Sequence, residues 1–285
     1  MGSKELSNLV EDIYRVVEGK GGWDATVTEF FSSSLSSIAE ARFSQEQVPR
    51  DYLSLSGIGS PCDRRLWYKI NQTESSEPLT AEALGTFFYG DLIEALVLSL
   101  AKAAGHNVEG MQDRVSVFGI SGSRDAVIDG VTVDVKSASK YGFEKFRKHN
   151  LREDDPFGYI SQLSSYVYAG KDDPLVKNKT EGAFLVVQKD RFKLCLDRYD
   201  FTEEIAKKEE EIERVKKLVA GSIPEDRIPP VPQSKTSENT VLSTTCGYCD
   251  FRKVCWPEAR TFLYSTGPVF MVDVVNEPRV TELIE

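Results

Sequence analysis

Ser121 to Ser139 reads S-G-S-R-D-A-V-I-D-G-V-T-V-D-V-K-S-A-S. Asp129-Gly130 is the dipeptide that a two-residue type I′ hairpin turn requires, because both central residues take positive φ, and β-branched apolar residues flank it on both sides. With that turn, Ile128 faces Val131 and Asp125 faces Asp134. Opposed residues share a face of the sheet, as do residues two apart on one strand. Asp125, Asp134 and Lys136 therefore gather on one side.

Two facing carboxylates repel unless positive charge lies between them. A hard divalent cation on oxygen ligands meets that need, and Lys136 adds an ammonium beside it. The grouping suits metal-assisted hydrolysis of a phosphodiester. Spacing alone decides nothing, since Glu18-Gly19-Lys20 fits the looser acid-x-Lys pattern with no hairpin and no facing acid. The competing reading is a solvated hairpin face with incidental charges, and the pairing across the turn is what argues against it.

The chain has 285 residues, 40% of them hydrophobic and 28% charged, an ordinary globular composition with ample length for a core. No apolar run is expected to reach the roughly 20 residues that span a bilayer. No apolar stretch follows the first residues as in a signal peptide, so a cytoplasmic location and no membrane partner are expected. A net charge of -10 argues against a protein that coats nucleic acid non-specifically. It leaves room for a nuclease, whose metal-binding acids lower the total while a local basic patch holds the substrate.

That patch follows the hairpin. Lys140, Lys145, Arg147, Lys148 and Arg152 are interleaved with Tyr141, Phe143 and Phe146. Basic groups neutralise phosphates, while the rings read as the inward face of an amphipathic helix. Upstream, two helices (residues 5–18 and about 26–42, with Phe30, Phe31, Leu35, Ile38 and Ala39 inward) form a helical lead-in over 1–50. A long helix over 81–104 carries Glu94 in an apolar run, where a carboxylate is costly unless paired or ligating. Strands are expected at 108–111 and 114–120. A helix from Pro156 to about Ala169 puts Gln162 and Tyr166, four apart, on one face. Strands over 182–188 and 191–196 and a charged helix over 202–219 follow, then a proline-rich linker and a tail with a strand at 269–275. The expected organisation is a core over 51–260 between the lead-in and a tail over 261–285, together one compact unit.

Five cysteines without a secretory signal read as ligands or buried thiols rather than disulfides. Cys195 lies in a strand as a structural thiol. Cys246, Cys249 and Cys255 make C-x2-C-x5-C, and Cys62, beside a turn and a helix start, is the candidate fourth ligand. Zinc and a cubane iron–sulfur cluster both remain open on this spacing. Either would clip the two ends of the chain together.

In these residues the chain resembles the RecB-like branch of the PD-(D/E)XK nuclease superfamily, and within it the iron–sulfur exonucleases associated with CRISPR adaptation and helicase–nuclease enzymes. The resemblance spans about 55–257. It rests on Cys62, the helix segment Gly90-Asp-Leu-Ile-Glu94, Asp125, Asp134-Val-Lys136, Gln162-Leu-Ser-Ser-Tyr166 and the cysteine triplet. It implies an α/β fold with a central mixed sheet flanked by helices, a restriction-endonuclease-like core. It implies that Asp125 and Asp134, with the carbonyl of Val135, bind Mg2+ or Mn2+, and that Lys136 positions or activates water. Gln162 and Tyr166 would line the DNA channel, and the four cysteines would hold a [4Fe–4S] cluster. The implied activity is exonucleolytic cleavage of single-stranded DNA or strand ends. Two positions depart from the family pattern. Glu94 stands where a histidine is frequent and offers a third carboxylate, and Arg124 replaces the proline before Asp125. No G-x4-G-K-[ST] motif is present, so the chain is expected to be a stand-alone nuclease or a subunit of a larger recombination, repair or CRISPR-like complex. The reading outside catalysis is a DNA-end-binding module built on a structural metal centre.

Overall fold

The computed structural model describes residues 4–44, 51–72 and 75–284; the end of the helical lead-in, 45–50, lies outside the described residues. In chain order come α1 (Leu9–Val17), α2 (Ala25–Phe43), α3 (Leu55–Ile58), α4 (Asp63–Asn71) and α5 (Ala81–Ala103). Next are β1 (Val108–Glu109), β2 (Arg114–Val117), β3 (Ile120–Ser123), β4 (Ala126–Ile128) and β5 (Val131–Ala138). Then follow α6 (Lys140–Arg147), α7 (Tyr159–Ala169), β6 (Glu181–Gln188), β7 (Lys193–Asp200) and α8 (Thr202–Ala220). Last are β8 (Val231–Pro232), β9 (Thr240–Val241), α9 (Thr244–Gly247), α10 (Arg252–Cys255), β10 (Arg260–Tyr264), β11 (Gly267–Met271) and β12 (Thr281–Leu283).

The hairpin forms in the expected register. Ile128 pairs with Val131, Val127 with Thr132 and Ala126 with Val133. Asp129 and Gly130 have φ of 51° and 84°, the two positive values a type I′ turn needs. Asp129 is further fixed by its carboxylate, whose Oδ2 lies 2.6 Å from His106 Nδ1 and whose Oδ1 accepts from the Asn107 amide. The hairpin joins a mixed sheet of order β1-β4-β5-β6-β7, in which only β5 and β6 run parallel. A parallel pair needs a crossover connection, and α6 and α7 supply it.

Alternation along β5 divides the core. Val131, Val133 and Val135 pack with Leu9, Ile13, Val97 and Leu98 of α1 and α5, while Ala138 packs with Phe143, Phe146 and Leu163 of α6 and α7. Helices thus cover both faces of the sheet, which is why β6 reads as an almost continuous apolar run, while β5 alternates because its other face carries Asp134 and Lys136. A third apolar cluster joins Leu55 and Ile58 of α3 to Tyr166 of α7 and Ile212 and Val215 of α8.

Several expectations are corrected. The segment 114–120 is not one strand: it folds back at Phe118-Gly119, both at positive φ, into the two-stranded sheet β2-β3. Helix α7 starts at Tyr159, because the chain first passes Gly158 in the left-handed region. The C-terminal strands belong to a second sheet, β12-β10-β11-β9-β8, rather than forming one added strand. In α2 only Val27 is buried; Phe30, Phe31, Leu35, Ile38 and Ala39 are half-buried. Helix α5, with 23 residues and mean hydropathy 1.5 over its most apolar window, is long and apolar enough to cross a membrane by length and composition, contrary to expectation. Its C-terminal half, from Ile93 on, packs on α1 and β5, and α2 lies against it, while 33% of the apolar window is buried.

Candidate active site

At its open end the hairpin ladder stops with Ala126–Val133. The next amide on that edge of β5, Val135 N–H, donates to Asp125 Oδ2 at 2.7 Å instead of to a backbone carbonyl. The Val135 carbonyl lies on the same edge of the strand as its N–H, so it also faces Asp125. Asp134 is buried, and its Oδ2 lies 2.6 Å from Lys136 Nζ, an ion pair two residues apart on one face. Gln162 Nε2 on α7 reaches Asp134 Oδ1 at 3.4 Å. Glu94 enters from α5 and accepts from Gln112 Nε2 at 2.6 Å.

The electrostatics show how closely these groups crowd. Burial, then the charges of Asp134 and Glu94, push the Asp125 carboxyl well above the usual carboxylate range. Burial, with Asp134 and Asp91 adding to it, raises Glu94 to about 7. Burial pulls Lys136 down, but Asp134 and Asp125 outweigh it and hold the ammonium protonated. Tyr166 is raised to about 12 by burial and by the same two aspartates. Its hydroxyl also approaches Gly122, where a Cβ would come within 2.9 Å. Three carboxyl groups share one ammonium in a poorly solvated place, which disfavours charging all three at once.

The sequence-derived set Glu94, Asp125, Asp134, Lys136, Gln162 and Tyr166 is thus brought together from α5, β4–β5 and α7. Two further residues belong with it. Tyr159 stacks its ring under Lys136, with Nζ 4.9 Å from the centroid. It is three residues before Gln162 and seven before Tyr166, the one-face spacing of a helix, so the sequence carried a signal for it. Gln112 had no such signal, because its bond to Glu94 crosses from a loop to a helix.

The basic stretch is divided by its partners. Lys145 pairs with Asp154 at 2.5 Å, Arg147 with Glu144 at 2.5 Å, and Arg152 with Glu204. Lys140 and Lys148 are exposed on the same helix and its end, with no ion pair among the described residues.

Oxygen donors of this kind fit a hard divalent cation in their chemistry. Each carboxylate is nonetheless turned to a protein partner: Asp125 to an amide, Asp134 to Lys136, Glu94 to Gln112. Among the described residues no group of three or more histidine, cysteine, aspartate or glutamate side chains has the arrangement of a metal site.

The cysteines converge separately. Cys62, the N-cap of α4, and Cys246, Cys249 and Cys255 line one small cavity with Arg65, Tyr68, Arg227, Phe251 and Arg252. The Arg65–Asp250 ion pair at 3.1 Å and Tyr68 stacked on Phe251 at 5.6 Å hold the two segments together. Burial raises the Cys62 and Cys246 thiols, and takes Cys249 to about 12. Thiolates are soft-metal ligands by chemistry, but among the described residues these four are not arranged as a metal site. Cys195 is half-buried in β7, with its thiol raised to about 12 by burial.

A family model described as the PD-(D/E)XK nuclease superfamily matches residues 29–256, which include every residue of both clusters. The chain belongs to the PD-(D/E)XK nuclease superfamily. The mixed sheet flanked by helices is consistent with the restriction-endonuclease-like core of that superfamily, whose members usually use Mg2+ or Mn2+ and act on DNA. A solved structure, "Crystal structure of SSO0001", is similar at 16% identity and a TM-score of 0.41, over 80% of this chain and 96% of that one. No curated protein matches the chain.

Proposed function

We propose that this superfamily member is a divalent-metal-dependent deoxyribonuclease, an exonuclease acting on single-stranded DNA or strand ends. The observation that carries the reading is the convergence of Asp125, Asp134 and Glu94 beside the Lys136 ammonium. Asp125, Asp134, Glu94 and the Val135 carbonyl would hold Mg2+ or Mn2+, which supplies Lewis acidity and positive charge at the scissile phosphate. Lys136 adds a fixed positive charge where negative charge grows in the transition state. Gln162 orients Asp134, and Tyr166 walls the same end of the sheet. Lys140 and Lys148, with Lys145, Arg147 and Arg152 once their surface pairs exchange for phosphate, would hold the strand. Cys62, Cys246, Cys249 and Cys255 would carry a structural [4Fe–4S] cluster, as in the RecB-like iron–sulfur branch, with Zn2+ the alternative that would remove that narrower assignment. Partners would be DNA and, in a cytoplasmic recombination, repair or CRISPR-like complex, other proteins.

The test is Mn2+-dependent digestion of end-labelled single-stranded DNA. Cleavage should disappear in Asp134→Ala while DNA binding survives, and purified protein should carry a brown chromophore lost in Cys249→Ala. The separate engagement of each carboxylate favours a second reading, a DNA-end-binding module. Binding of ends without cleavage by the wild type under any divalent metal would select it.

A further inference from the structure

Aromatic side chains run outward from the catalytic lysine, and the nuclease reading does not use them. Tyr159 lies under Lys136, its ring 4.9 Å from Nζ. Phe157 follows at 5.5 Å between ring centroids, then Tyr248 at 5.9 Å. Exposure grows along the row: Tyr159 is half-buried, Phe157 is 43% exposed and Tyr248 is 75% exposed. Phe157 and Tyr248 thus present two contiguous rings to solvent next to the site.

The row is also held firmly. Gly158, between Phe157 and Tyr159, takes φ +76°, and a Cβ there would come within 2.1 Å of the Gly59 carbonyl. That close approach presses the segment against the turn before Cys62. From the other side, Thr245 Oγ1 donates to the Pro156 carbonyl at 3.0 Å. Tyr248 sits between Cys246 and Cys249, so the two cysteine-bearing turns grip the Phe157 segment and one of them presents the outermost ring. Phe146 of α6 stacks on Tyr159 at 6.0 Å, which fixes the inner end of the row against that helix.

We infer that Phe157 and Tyr248, leading to Tyr159, form a stacking track for the unpaired bases of a DNA strand entering the site. The proposal rests on the nuclease reading and deepens it. A track of rings beginning at the catalytic ammonium matches what a single strand offers, exposed π-faces spaced along its backbone. Paired bases turn their faces inward, so a duplex gains nothing from it. The cysteine centre then has a second consequence: it fixes the ring that meets the substrate first.

The experiment measures binding of a short single-stranded oligonucleotide carrying a fluorescent adenine analogue, and of an abasic strand of equal length. Both are titrated in the Asp134→Ala background to prevent cleavage. Phe157→Ala and Tyr248→Ala should each weaken binding of the base-bearing strand roughly 5- to 100-fold and relieve stacking quenching of the fluorophore. Tyr248→Phe should bind as the parent, and binding of the abasic strand should be unaffected by any of these changes. Phe118→Ala, which removes another exposed ring at the β2–β3 turn, serves as the control and should change nothing. In the otherwise wild-type enzyme the two alanine variants should raise KM for single strands more than they lower kcat.

Unchanged binding in both alanine variants, or an equal loss with the abasic strand, would overturn the track and leave the nuclease assignment standing. Stacking-dependent binding by a protein that never cleaves would do the reverse, keeping the track and removing the nuclease.

Discussion

Replacing Arg124 by methionine tests how the Asp125 end of the hairpin is held. The Arg124 side chain is 1% exposed and ion-pairs with Asp173 Oδ2 at 2.6 Å and Asp113 Oδ2 at 3.2 Å, while its Nε donates to the Gly110 carbonyl at 3.2 Å. Removing one partner of a fully buried ion pair costs about 3–5 kcal/mol, because the other charge is left uncompensated. Here the carboxylates are wetter than the guanidinium, at 21% side-chain exposure for Asp173 and 53% for Asp113. Water therefore replaces much of the Asp113 contact, worth about 0–1 kcal/mol, and the charge-assisted contact with Asp173 carries about 1.5–3 kcal/mol. The expected loss is about 2–4 kcal/mol.

The pH dependence has a definite sign. Burial pulls the Asp173 carboxyl upward, but the Leu175 amide and Arg124 outweigh it and hold it below the usual range. A carboxyl held low in the folded state stabilises the fold above its unfolded pKa, and that contribution is lost as pH falls through the folded value. The deficit of Arg124→Met should therefore be full at neutral pH and shrink in acid. Urea unfolding followed by circular dichroism at both pH values measures it. Arg124→Lys should recover only part, since one ammonium cannot span three acceptors. Cleavage by the methionine variant should fall even where it is fully folded, because Asp125 is the next residue. A methionine variant within about 0.5 kcal/mol of wild type at neutral pH, the range of an ordinary surface change, would refute the reasoning. So would a deficit that stays constant into acid.

Gly130→Ala should cost about 1–2 kcal/mol in thermal unfolding, since φ is +84° and the new Cβ would come within 2.8 Å of the Lys177 side chain; unchanged stability would contradict the type I′ turn. Burial raises the Asp197 carboxyl despite hydrogen bonds from His149 and Tyr199. Its contribution is therefore complete below the unfolded pKa and lost as pH rises through the folded value, so Asp197→Asn should gain on wild type over that rise; an unaltered pH slope would exclude this. Mg2+ at about 100 times its Kd should stabilise the wild type by about 2.7 kcal/mol and Glu94→Gln by less, and equal stabilisation would remove Glu94 from the ligand set.

The hairpin was legible because its information is local. Asp129-Gly130 sets the turn, the turn sets the register, and the period of two puts Asp125, Asp134 and Lys136 on one face. Helix boundaries in α2, α5 and α8 agreed to a residue, α1 began four residues later than expected, and Cys62 read correctly as standing at a helix start. The shape of 114–123 was not legible, because positive φ at Phe118 carries no sequence signature in a phenylalanine. Nor was the buried anchoring of Arg124, whose partners Asp113 and Asp173 lie 11 and 49 positions away. The sequence by itself determined which candidate residues the hairpin and the helix faces could gather, since residue type and short-range spacing are local properties. Only the tertiary structure decided which oxygen each carboxylate presents and to whom, that Glu94 meets Gln112, and that Tyr248 stands beside Phe157. Those contacts depend on where loops and helices far apart in the chain come to rest, and packing across the whole core sets that.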